Sequence, residues 1–157
     1  MRKYIIALAV VLSFMACNRH SEHWVALCQV ETFIEEQPDS ALVVLQGIDA
    51  GDLSSAEERA KHALMLSMAL DKNFIDKTDF EVLQPAIDYY EDNGTATDKL
   101  RTYYYQGRIY QNAGNDALAM NCYINALESS GDSKDILTKA RLYVAQGLIY
   151  ASLLKWN

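Results

Sequence analysis

Proline is nearly missing from this sequence: Pro38 and Pro85 are the only two in 157 residues. A chain so seldom interrupted can carry helix after helix, because proline removes a backbone donor and clashes with the preceding turn. Sustained alternation of apolar and polar residues is also missing, and no Asn-Gly closes two β-branched runs, which argues against strands and hairpins. Cysteine occurs three times, at Cys17, Cys28 and Cys122, too sparsely for a disulfide framework. Gly-rich phosphate loops, His-Glu-x-x-His and Gly-x-Ser-x-Gly are absent as well, so the expectation is a non-catalytic protein that needs no cofactor or metal.

Positive charge is scarce too. Fourteen Lys and Arg stand against 21 Asp and Glu, a net charge of -7, which makes the chain a poor general binder of phosphate backbones and argues against nucleic acid as a partner. Half of the residues are apolar, enough for one compact domain or a short repeat array.

The positive charges that do exist begin at once: Arg2 and Lys3 precede an apolar run from Tyr4 to Phe14, and "MAC" closes it at Cys17. This is the layout of a secretory signal, and the run is too short to span a bilayer. "SFMAC" resembles the lipobox of bacterial lipoproteins, where a cysteine thiol takes up a diacylglyceryl group and a small residue, here Ala16, precedes it; Phe14 stands where Leu is usual. The resemblance implies a signal peptide at 1–16, a lipid on Cys17, and membrane attachment in the envelope of a Gram-negative bacterium. Asn18, in place of an Asp that would resemble an inner-membrane retention signal, leans towards the outer membrane. Removal of Arg2 and Lys3 would take the net charge from -7 to -9. Residues 17–23 then form the lipidated cysteine and a polar tether, whose His20 and His23 lack the further ligands a metal site needs. Cys28 and Cys122 suggest two small buried residues, with a bridge between them the alternative in an oxidising compartment.

Helices are expected near 22–36, 39–46, 54–72, 78–92, 96–112, 115–130 and 134–153. Asp39 or Ser40 can cap the second and "SSAE" at 54–57 the third, while "DNG" at 92–94 marks a stop. Superimposing the chain on itself at an offset of forty pairs "DKLRTYYYQGRIY" (98–110) with "TKARLYVAQGLIY" (138–150), with identities at seven of thirteen positions: Lys99/Lys139, Arg101/Arg141, Tyr103/Tyr143, Gln106/Gln146, Gly107/Gly147, Ile109/Ile149 and Tyr110/Tyr150. One step earlier, "ERAKHALMLSMAL" (58–70) keeps Arg59 and Lys61 basic and places Ser67 where the glycines stand. The period therefore persists through three units.

These residues resemble the tetratricopeptide repeat, a helix-turn-helix unit with aromatic-x2-Leu-Gly-x2-Tyr on one helix and Ala-x3-Phe-x2-Ala on the next. Tyr103, Gly107 and Tyr110 match the first pattern, and Ala119, Tyr123 and Ala126 the second. Gln106 for the usual Leu, Gly131 where proline is common, and a period of forty are departures. The resemblance implies an all-α solenoid of antiparallel hairpins over 24–157, with the best unit at 100–133 and a half unit at 134–157. Because an array normally closes with a polar-faced capping helix, the ending "ASLLKWN" suggests a truncated chain.

At helical spacing Tyr103 and Tyr110 are expected to pack, not to react. The family's groove positions map onto Arg101, Tyr104, Arg108, Gln111 and Asn112, with Lys61, Leu64 and Met68 in the preceding unit and Arg141, Val144 and Leu148 in the following one. A ladder of Lys61, Arg101 and Arg141 would favour an acidic peptide or carboxylate-bearing ligand; alternatively, Glu58 and Asp98 lie three residues before Lys61 and Arg101 and could pair with them. Two functions fit: a lipid-anchored protein-interaction scaffold, or the extracytoplasmic sensory segment of a longer membrane-bound transcriptional regulator.

Overall fold

The computed structural model describes residues 21–154; the expected signal, Cys17, His20 and residues 155–157 lie outside that range. The described chain is all-helical: α1 (Glu22–Phe33), α2 (Pro38–Gln46), α3 (Ala56–Lys72), α4 (Gln84–Asn93), α5 (Ala96–Asn112), α6 (Asp116–Ser129) and α7 (Ile136–Leu154), with a 3-10 turn at Ala50–Asp52. Each expected helix is present, and no strand occurs among the described residues.

Boundaries move where the caps decide otherwise. Helix α1 starts at Glu22, so Glu22 and His23 of the expected tether are helical, and it ends at Phe33, short of the expected residue 36. Neither Asp39 nor Ser40 caps α2; Pro38 occupies its first turn, where a missing N–H costs nothing. Helix α4 begins at Gln84, six residues later than expected, because Pro85 sits in it and proline is tolerated only in a first turn. The cap of α3 is Ser55, one residue beyond the expected one; its hydroxyl accepts from the Glu58 amide at 3.1 Å. Glu58 in turn accepts from the Ser54 amide and hydroxyl, both at 2.7 Å, and from the Ser21 amide at 2.6 Å, pinning the start of α1 onto the start of α3. Burial, with the side chain 0% exposed, works against the charged carboxylate, but these hydrogen bonds outweigh it and hold its pKa at about 2.

The period of forty survives into three dimensions. Helices α3, α5 and α7 start at Ala56, Ala96 and Ile136. Each is capped the same way: Ser55, Thr95 and Asp135 accept from the amide three residues on, at 3.1, 3.3 and 3.0 Å. Each helix packs on its successor, and α1 on α3, α3 on α5 and α5 on α7. Alternate helices thus stand side by side, and the buried apolar side chains of Leu27, Leu45, Leu64, Met68, Leu83, Leu100 and Tyr123 lie between them.

Gly107 explains the tightest of these contacts. A Cβ built there would lie 2.3 Å from the Tyr123 ring, so only glycine lets α5 approach α6 this closely. Tyr103 and Tyr110 pack as expected, but against the edge of the core and only half-buried, the latter edge-on to Phe80 at 4.9 Å. Tyr104 and Tyr105 fill the core instead, at 5% and 2% exposure. Position 103 faces the seam towards α4, whereas 104 and 105 point towards other helices that close over α5.

Candidate functional site

Tyr104 and Arg108 of α5 form one wall of an open groove of about 300 Å³; Leu137, Arg141, Val144 and Leu148 of α7 form the other. On the α7 side Leu137, Val144 and Leu148 are 55–62% exposed. Tyr104 lies deeper, stacked on Tyr123 with ring centroids 6.0 Å apart. Burial, with the nearby Asp71 charge added, pushes its hydroxyl up to about 12. It serves as floor more than as exposed contact. Two expected groove positions are corrected: Leu64 and Met68 are each 1% exposed and belong to the core, because α1, α2, α4 and α5 all pack against α3.

The three bases expected to form a ladder are all paired, and not with their local acids. Lys61 binds Glu31. Arg101 donates to Glu31 at 2.8 Å and to Asp135 at 2.5 Å. Arg141 donates both terminal nitrogens to Glu35, at 3.0 and 2.5 Å, and Glu35 also takes Lys72 at 2.6 Å. Two carboxylates from the α1 end therefore reach α3, α5 and α7. The Arg141 hydrogen bonds, opposed by partial burial and helped by Lys72, hold the Glu35 carboxyl at about 2. For Glu31, burial raises the pKa, yet Lys61 and Arg101 together bring it below the usual range.

The remaining expected residues are also engaged. Arg108 binds Asp71 at 2.9 Å. Gln111 Oε1 accepts from Arg108 at 3.1 Å and from the Tyr123 hydroxyl at 2.9 Å, while Asn112 donates to the Lys77 carbonyl at 3.2 Å. These polar groups brace the helices around the groove and leave its apolar rim as the open surface. Sequence reasoning missed Glu31, Glu35, Asp71 and Asp135. The four-residue spacing of Glu31 and Glu35 was the available signal, but their partners lie 30 to 106 positions away.

A smaller cavity of about 110 Å³ lies between α4 and α5, lined by Tyr90, Thr102, Tyr103 and Gln106 among others; the buried Thr102 hydroxyl has no hydrogen-bond partner there. Cys28 and Cys122 are both free, one half-buried and one buried, and burial pushes the Cys122 thiol up to about 11. His62 is a core histidine whose Nε2 meets the Leu45 carbonyl at 2.9 Å. Among the described residues no cluster of His, Cys, Asp and Glu could hold a metal, and no helix is long and apolar enough to cross a membrane. Compared with known proteins, the chain matches no family model, no curated sequence and no solved structure.

Proposed function

We propose that this chain is a tetratricopeptide-like α-solenoid that acts as a non-catalytic interaction scaffold, held at the envelope membrane by a lipid on Cys17. It takes a partner protein or peptide in the groove between α5 and α7. The observation that carries this reading is the exposed apolar rim of that groove, Leu137, Val144 and Leu148, beside Tyr104 and Arg108, in a protein otherwise rich in acid. Support for the repeat architecture comes from the forty-residue spacing of α3, α5 and α7 and their shared caps.

The ladder of Lys61, Arg101 and Arg141 is neutralised within the chain, so recognition rests first on apolar contact. A carboxylate on the partner would compete with Glu35 for Arg141, and an intramolecular acid has the advantage of high effective concentration. Salt would therefore weaken binding only slightly.

The test uses Val144→Asp with Leu148→Asp, both at exposed positions where the fold is not at stake. The double variant should lose the partner that the immobilised wild-type chain captures from envelope extracts, with helicity by circular dichroism unchanged; capture that survives overturns the groove assignment. Cys17→Ser should shift the protein from the membrane to the soluble fraction and abolish incorporation of labelled fatty acid. Continued membrane attachment with no lipid label would remove the anchor from the proposal.

A further inference from the structure

Helix α5 has two unlike sides. On one, Gly107 lets it close tightly onto α6. On the other, Lys99, Thr102, Tyr103 and Gln106, spaced as one helical stripe, meet Tyr90 and Glu91 of α4 around the cavity of about 110 Å³. That volume has room for about four waters at roughly 30 Å³ each. Both charged and neutral polar side chains line it.

The chain makes no use of those polar groups. Among the described residues the Lys99 ammonium, the Glu91 carboxylate, the Gln106 amide and the Tyr90 hydroxyl form no hydrogen bond or ion pair. The hydroxyl of Thr102, a residue only 5% exposed, has no partner either. Comparable groups elsewhere are engaged. Lys139, forty residues after Lys99, donates to the Ser133 carbonyl at 2.8 Å, and on the groove side of α5 itself Arg101, Arg108 and Gln111 are all held. Buried polar groups are nearly always hydrogen-bonded, so a buried hydroxyl left open beside a cavity marks a place where a polar partner belongs.

Charge of both signs lines the pocket. Lys99 brings the positive charge and Glu91 the negative one. Burial, with the nearby charges of Asp98, Glu31 and Glu57 added, pushes the Tyr90 hydroxyl far above its usual range, so it remains a protonated donor. The same carboxylates favour a positive group beside Tyr90, and the rings of Tyr90 and Tyr103 add attraction for an ammonium.

We infer that the pocket between α4 and α5 binds a small free α-amino acid, its ammonium towards Glu91 and the tyrosines, its carboxylate on Lys99, and its remaining polar atoms towards Thr102 and Gln106. A ligand of single charge would leave either Lys99 or Glu91 opposed to it, whereas a zwitterion answers both. The site shares no residue with the α5–α7 groove, so either can fail without the other.

The experiment titrates the full chain with L-alanine, L-serine and L-threonine by calorimetry and follows its melting temperature at millimolar ligand. At least one of the three should bind and raise the melting temperature, because a ligand held only by the folded state stabilises it. N-acetyl-L-alanine, which lacks the ammonium, and L-tryptophan, which is too large, should not. Lys99→Met and Glu91→Gln should each weaken binding by about tenfold. Thr102→Val should weaken it as well, without lowering the melting temperature of the free chain, since the hydroxyl has no partner to lose. Failure of all three amino acids to bind overturns the inference. So does equal binding of either control compound, which would reveal a site for something other than a small zwitterion, and so does binding that all three variants leave intact.

Discussion

Helices α5 and α7 are built on the same text and live in different surroundings. Their equivalent stretches agree at seven of thirteen positions, their caps work alike, and both contribute an arginine to the carboxylates of the α1 end. Yet Tyr104, Gly107 and Leu100 are buried where Val144, Gly147 and Ala140 are exposed. Among the described residues α5 packs against α3, α4, α6 and α7, whereas α7 packs chiefly against α5 and α6. A packing code is thus a statement about neighbours: the same glycine is indispensable in one helix and, within this chain, idle in the other.

That contrast can be broken in several ways. The largest effect is expected from Tyr104→Ala, which removes a ring that is 5% exposed and should cost about 3–5 kcal/mol. Val144→Ala, its equivalent at 62% exposure, should cost less than about 0.5 kcal/mol. Urea midpoints measure both; a comparable loss at the two positions would mean α7 is covered in solution.

Next come the glycines. Gly107→Leu drives a branched side chain into Tyr123 and should cost about 2–3 kcal/mol, while Gly147→Leu should stabilise by up to about 1 kcal/mol through helix propensity alone. Thermal melts of the pair give the sign directly.

The salt network ties α7 back to the start of the chain, and Glu35→Gln should loosen it by about 1–2 kcal/mol. Amide exchange should then accelerate in α7 more than in α5, which keeps its own covering helices. The pH dependence has a definite sign. Glu35 and Glu58 sit near 2 in the folded chain against an ordinary 4.5, so between those values the unfolded state binds more protons. Their stabilisation, at most about 3 kcal/mol for each, is complete above pH 4.5 and is lost as pH falls towards 2. Glu35→Gln should flatten the acid limb of a stability-against-pH curve; an unchanged limb would show that the Arg141 pair contributes nothing in solution.

The smallest effect concerns the ends of α3 and α5. Forty residues before Gly114, whose φ is +76°, stands Phe74 with φ +59° and 91% exposure. A left-handed backbone costs a bulky residue about 1 kcal/mol, and an exposed ring gives little back. Phe74→Gly should therefore raise the melting temperature slightly, unless Phe74 is held by a partner.

Much of the helical layout was legible because its signals are local. The low proline content, the turn signals and the forty-residue echo pointed to seven helices; the largest misplacement is the start of α4, expected at 78 and found at Gln84, because Pro85 is tolerated only in a first turn. The candidate groove was half legible. Arg101, Tyr104, Arg108 and Arg141 do gather around the seams of α5 and α7, but Leu64 and Met68 belong to the core, and the acids that neutralise the bases were invisible.

What the sequence determined by itself was therefore the periodic part: helix after helix, a repeat of forty and the glycine-tyrosine code. Those follow from hydrogen bonding and side-chain spacing within one or two turns, which a string of residues records. Only the tertiary structure decided which copy of the code is covered and which carboxylate answers which base. Glu35 and Arg141 are 106 positions apart, and nothing in local spacing foretells that the packing of the intervening helices will bring them to within hydrogen-bond distance.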